Sequence, residues 1–134
     1  MLSPLTTSQE VQNMSSTGCA DSAPVFDVVR FKIADNIKAL VGGGQSAKTL
    51  DPLTSFHRVT TVTSAGDSVT LPKAQPGPLL MVVNAAAANS MNVYPFLGDA
   101  INALGANAAF AVAAGKVAIF LCTGLGQYHS LLTA

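Results

Sequence analysis

From residue 57 onward the hydrophobic and polar positions follow a period of two. Seven segments carry it: His57-Arg-Val-Thr-Thr-Val-Thr63, Ser68-Val-Thr-Leu71, Leu79-Leu-Met-Val-Val83, Ser90-Met-Asn-Val-Tyr94, Ala108-Ala-Phe-Ala-Val-Ala113, Val117-Ala-Ile-Phe-Leu-Cys122 and Gln127-Tyr-His-Ser-Leu131. Alternation over four to eight residues, rich in Val, Thr, Tyr and Phe, predicts strands. Gly and Asn punctuate them at Ala65-Gly-Asp, Pro76-Gly-Pro, Asn84 to Asn89, Gly98-Asp, Gly105-Ala-Asn, Ala114-Gly-Lys and Thr123-Gly-Leu-Gly. Short strands at this spacing predict a mainly β fold, a small antiparallel sandwich or barrel. A weak internal echo relates Val69-Thr-Leu, Leu80-Met-Val-Val and Tyr94 to Phe110-Ala-Val, Ala118-Ile-Phe-Leu and Tyr128. It predicts two similar hairpin units packed face to face.

Upstream the pattern differs. Phe26, Val29, Ile33, Ile37 and Leu40 fall at helical offsets, with Ser22 as N-cap, Pro24 in the first turn and Gly42 as stop. A helix docking by Phe26, Val29, Ile33 and Ile37 is therefore predicted, while the alternation of Val29-Arg-Phe-Lys-Ile33 offers a strand instead. Residues 1–20 are rich in Ser, Thr, Gln and Asn and hold no period. The expected organisation is an extended arm over 1–21, a helix and Gly-rich linker over 22–50, and a β domain over 51–134.

Composition sharpens this picture. The 134 residues are 49% hydrophobic but only 10% charged, with seven basic and seven acidic side chains; ordinary domains are about 25% charged. A neutral chain lacks the clustered cations that hold phosphates, so nucleic acid is not an expected partner. Twelve of the charged residues precede Ala74, and only Asp99 and Lys116 follow it. A charge-poor segment of this length implies a surface covered by protein, and hence assembly. The positions expected to form the oligomer or partner surface are Val82, Met91, Val93, Phe110, Val112, Ile119 and Phe120.

The apolar stretch from Ala106 to Leu125 is broken by Asn107, Gly115, Lys116, Thr123 and Gly124. It reads as protein interior and not as a membrane span. Cys19 and Cys122 are expected to be free thiols, and the opening Met1-Leu-Ser-Pro has neither basic nor apolar region of a secretion signal.

Candidate chemistry is sparse. Gly42-Gly-Gly-Gln-Ser-Ala-Lys48-Thr49 nearly matches a phosphate-binding loop, but Ala47 replaces the second glycine, and a linker is expected. His57 and His129 have no Cys, Asp or Glu at metal-ligand spacing, so no metal and no cofactor are expected. Cys122 and His129 could pair as nucleophile and base, but Cys122 ends the most apolar strand, where a thiol is usually inert. Gly98-Asp99 reads as a turn. The Asn residues at 84, 89, 92, 102 and 107 suit either a polar groove or turns with positive φ, and turns are favoured. Tyr94 and Tyr128 are the available sugar-stacking rings in a chain without Trp.

The stretch from Phe56 to Leu131 resembles the small β-rich virion proteins of tailed bacteriophages. The resemblance rests on Thr63-Ser-Ala-Gly-Asp-Ser-Val-Thr-Leu-Pro72, Leu80-Met-Val-Val-Asn-Ala-Ala, Asn92-Val-Tyr-Pro with Gly98-Asp-Ala-Ile-Asn102, and Ala113-Ala-Gly-Lys-Val-Ala-Ile-Phe-Leu-Cys122. It implies a capsid decoration or cement protein, a homo-oligomer and most often a trimer, made in the host cytoplasm and bound to the major capsid protein or another virion protein. It carries over no catalytic residue, so no enzymatic activity is expected. The alternatives are a tail, fibre-base or head-to-tail component, and a trimeric β-fold enzyme or ligand-binding domain using His57, His129 or Asp99 at a subunit boundary.

Overall fold

The structure, a computed structural model, describes residues 31–45 and 49–134. The expected arm, together with Ser22, Phe26 and Val29 of the expected helix, lies outside the described residues. Nine strands follow: β1 (Ile33–Lys38), β2 (Phe56–Thr61), β3 (Ser68–Thr70), β4 (Leu79–Asn84), β5 (Met91–Tyr94), β6 (Ala100–Ile101), β7 (Phe110–Val112), β8 (Val117–Gly124) and β9 (Gln127–Leu132). They form a six-stranded sheet in the order β1-β2-β4-β8-β9-β6 and a three-stranded sheet in the order β3-β5-β7. The fold is mainly β, as the alternation predicts, and all seven predicted strands are present within a residue or two at each end.

Their connectivity differs from the expected antiparallel arrangement. β2, β3, β4 and β5 alternate between the two sheets, so the chain coils and each strand lies parallel to the one a full coil earlier. Ile33 pairs with Phe56 and Phe56 with Met81, advances of 23 and 25 residues along one sheet. Thr49 pairs with Thr70 and Thr70 with Tyr94 along the other. After β5 the chain reverses: β7 is antiparallel to β5, β8 to β4 and β9 to β8, while β6 joins the far edge parallel to β9. The arrangement is solenoid-like with an antiparallel end. The predicted hairpin units are therefore corrected. β3–β4 and β7–β8 each cross from one sheet to the other, because a strand apolar on both parities has no face to set its partner.

The expected helix is likewise corrected over its described part, where Ile33–Lys38 is a strand. The apolar positions of this segment gain more from the parallel ladder to β2 than from a solitary helical turn, and tertiary pairing overrides propensity. The spacing of Ile33 and Ile37 misled because the strand is bulged. Its register to β2 shifts around Asn36, which adopts φ +55°, so Ile33 faces outward while Ile37 opposes Val59 and packs on the core.

Inward positions of both sheets share one core: Val59, Leu80, Val82, Ala118 and Phe120 from the larger sheet meet Val69, Met91, Val93 and Val112 from the smaller. The Phe120 ring contacts the edges of Phe110 and Tyr128 at centroid distances of 5.6 and 6.4 Å. Tyr128 buries its ring and donates its hydroxyl to the Pro72 carbonyl at 2.7 Å, which satisfies the one polar atom it brings inside.

Turns between coils are fixed by buried polar groups. The Asp67 carboxylate accepts the N–H groups of Gly42 (3.0 Å), Thr63 (2.9 Å) and Ser64 (2.9 Å), so one side chain ties two successive coils together. These bonds, the one from Ser64 foremost, hold its carboxyl below the usual 3.8. Gly43 sits at φ +71°, and a Cβ there would strike the Gly66 carbonyl oxygen, so glycine is required on two counts. Of the five Asn residues expected in turns, Asn89, Asn102 and Asn107 take positive φ, whereas Asn84 and Asn92 lie in strands.

Candidate functional site

The outward faces of the two sheets are chemically opposite. On the smaller sheet, Ser68 opposes Asn92 and Thr70 opposes Tyr94. The chain covers this polar face with its own segment, since Ser68 donates to the Gly44 carbonyl at 2.9 Å and Thr70 to that of Gln45 at 2.8 Å. On the larger sheet the register aligns Ile33, Phe56, Met81, Ile119 and Leu131 in one row across five strands. Leu79 and Leu121, with His129 beyond them, form the row on one side; Arg58, Val83 and Val117 form the row on the other. Ile33 and Leu131 at the two ends are each 64% exposed, and Leu121 is 38% exposed. The central members are half-buried by one another. Phe31 stacks edge-on against Phe56 at 5.3 Å and extends the apolar face.

Among the described residues, Arg58 is the one charged side chain in these rows. It stands at the β1 side and pairs with Asp35 at 2.8 Å. That pair and the Asn36 N–H lower the Asp35 carboxyl from its usual value.

The residues expected to form the oligomer surface divide between the faces of the sheets. Val82, Met91, Val93, Val112 and Phe120 are fully buried within the single chain, which corrects their assignment to an interface. Phe110 is half-buried against the core, beside a shallow apolar hollow shared with Asn102 and Leu104. Ile119 is the one that lies on the outward apolar face. Both parities of Val117-Ala-Ile-Phe-Leu-Cys122 are apolar, so nothing in the run itself says which side meets the core. The outward face also depends on Met81, Leu79, Leu121 and Leu131, which are not among the expected surface positions; the unbroken apolar run of β4 is the signal in the sequence that points to them, since it asks for cover on both sides.

A second candidate is a cleft of about 280 Å³ lined by Asp35, Asn36, Thr49, Asp51 and His57. Asp51 caps the turn opened by Asp51-Pro52: it accepts the Leu53 N–H at 2.9 Å and the Thr54 hydroxyl at 3.1 Å, and the first of these bonds leads in lowering its carboxyl from the usual value. His57 is fully buried with Nε2 2.8 Å from the Thr54 carbonyl. A carbonyl only accepts, so Nε2 carries the proton, and the buried Nδ1 has no partner. Burial pushes the imidazole below 6.5, against the opposing pull of the Thr54 bond and Asp51. The ring is thus a neutral structural group with its proton committed, and the two carboxylates are engaged with Arg58 and with the turn.

The remaining candidates do not converge. Tyr128 opposes Cys122 on the inner side of the β8–β9 pair and His129 opposes Leu121 on the outer, so Cys122 and His129 point to opposite faces. The Cys122 thiol is buried, donates to the Gly124 carbonyl at 3.2 Å and is raised in pKa chiefly by burial. Asp99 accepts the Ala74 N–H at 2.7 Å and closes a turn with Phe96, a structural role. Among the described residues no three His, Cys, Asp or Glu side chains come together as a metal site. Lys48 of the glycine-rich segment lies outside the described residues. No helix among them is long and apolar enough to cross a membrane. Comparison with protein-family models, curated proteins and solved structures gives no match.

Proposed function

We propose that the protein is a structural component of a bacteriophage virion, of the capsid decoration or cement type, which assembles with itself and clamps a shell protein. The observation that supports it most is the outward face of the larger sheet, an apolar plane with the Arg58–Asp35 ion pair on its β1 side. A surface of that character is stable in water when another protein covers it. The resemblance of Phe56 to Leu131 to small virion proteins supplies the biological setting. The sheet edges point to a contact made through faces: β1 is bulged and carries Asp35 and Lys38, and β6 has two residues, so neither edge invites strand addition.

The reading is tested by quantifying the chain in purified virions by mass spectrometry and by adding the purified protein to shells that lack it. Hundreds of copies per particle and saturable binding to the shell are expected. Copies in small multiples of three or six would move the protein to the tail or fibre base, and absence from particles would overturn the virion assignment.

A further inference from the structure

We infer that the outward face of the six-stranded sheet is a two-fold interface, and that its occupant is a second copy of this chain. The inference rests on the reading of the protein as an assembly component and gives that assembly its surface and symmetry.

Three features select a second copy. The first is extent. The nine apolar members of the three rows, with strands about 4.8 Å apart and rows about 7 Å apart, make an apolar plane of roughly 300 Å². With the relief of the side chains, Phe31 and the surrounding polar residues, it approaches the roughly 800 Å² that each partner gives to a standard interface. The second is anatomy: an apolar centre of Met81, Ile119 and Val83 lies inside a margin of Arg58, Asp35 and His129, the layout of a stable protein contact.

The third is self-complementarity. The long row is five residues with Met81 at its middle. A two-fold axis near Met81 and parallel to the strands lays the row on itself, places Ile33 of one copy against Leu131 of the other, and sets Arg58 of each copy over Val117 of the other, where its Asp35 partner stays beside it. Within the long row apolar side chains then meet apolar ones, Met81 on Met81 and Phe56 on Ile119. Face-to-face packing of this kind keeps the strands of the two sheets within about 30° of each other. Such a contact is isologous and closes as a pair.

The test is sedimentation velocity of the full chain over a concentration series, with far-UV circular dichroism and a thermal melt on every variant. Wild type is expected to run as a dimer. Met81→Lys, which places a charge at the axis, is expected to raise the dissociation constant by about a hundredfold or more, as loss of a central anchor does. The double change Ile33→Ser with Leu131→Ser alters two side chains that are largely exposed within one chain, so it spares folding if Met81→Lys does not; it too is expected to weaken the dimer. Leu97→Lys, an exposed apolar residue elsewhere on the molecule, is expected to leave the dimer intact. In a Cys19→Ser background, Met81→Cys should oxidise to a covalent dimer and Leu97→Cys should not.

A monomeric wild type overturns the proposal, whether the face is covered by the chain's own first thirty residues or by the shell protein. So does a threefold oligomer, or a dimer that survives both face variants while they remain folded. The virion count separates the two readings. A monomer found at hundreds of copies per particle fails the dimer and keeps the virion assignment, whereas a dimer absent from particles does the reverse.

Discussion

The two sheets enclose one core, yet their outer faces are built on opposite rules. The smaller sheet turns Ser68, Thr70, Asn92 and Tyr94 outward, and residues around Gly44 and Gln45 supply carbonyl partners for two of them. The larger sheet turns Leu79, Met81, Val83, Val117, Ile119 and Leu121 outward, and no described segment of the chain covers them. Polar side chains settle their hydrogen bonds locally, so the chain can finish that face by itself. Apolar side chains gain only by losing water over a wide area, and a chain of this length has already spent its apolar segments on the interior. The difference teaches that low charge after Lys73 has two causes: part of the segment is an ordinary core, and part is the outward face of one sheet, which no described segment covers.

Adjacent residues of β8 give the sharpest way to break this contrast. Phe120→Ala removes a fully buried ring that touches Phe110 and Tyr128 and is expected to cost about 3–5 kcal/mol in urea unfolding. Its neighbour Ile119→Ala should cost less than half of that in folding under dissociating dilution. Equal losses at the two positions would mean that both faces are core. Asn84→Ala comes next. Asn84 is fully buried at the inner end of β4 and donates to the carbonyls of Asn89 (3.1 Å) and Val112 (2.9 Å). Its removal is expected to cost about 1–3 kcal/mol, because two carbonyls lose their donor. A neutral outcome would show that this polar pocket of the core fills with water instead.

The pH dependence is smaller and its sign follows from His57. Burial depresses the folded imidazole below 6.5, so the unfolded chain binds its proton first as pH falls. Stability is expected to be full above about pH 6.5 and to decline as pH drops through the folded value, and Asp67, also depressed, extends the decline below its usual 3.8. Thermal melts of wild type and His57→Leu between pH 7.5 and 5 check this: the variant should lose the near-neutral part of the slope, and an unchanged slope would assign it elsewhere. Least of all, Asn92→Lys on the polar outer face should shift stability by no more than about 0.5 kcal/mol and leave sedimentation unchanged. Loss of assembly there would move the interface to the other sheet.

How much of this was legible in the sequence depends on the kind of information asked for. Strand positions were, because Val69, Val93 and Val112 alternate with Ser, Thr, Asn or Ala and because Gly66, Gly77, Gly98, Gly105 and Gly115 mark the turns with positive φ. The strand at Ile33–Lys38 was not: its bulge at Asn36 gives apolar positions a spacing of four, which imitates a helix. The outward face was half legible. Ile119 is among the positions expected at the surface, but so is Phe120 beside it, since a run that is apolar at every position carries no parity.

The amino-acid order by itself determined that this chain is built of short strands and that it concentrates its charges before Ala74. Only the tertiary structure decided that successive strands alternate between two sheets, that Val82 and Phe120 point in while Met81 and Ile119 point out, and that Ile33, Phe56, Met81, Ile119 and Leu131 align in one row. The physical reason is range. Alternation, turns and charge are properties of neighbours along the chain, whereas register joins residues 23 or more positions apart and is fixed by which pairing buries the most apolar surface at once.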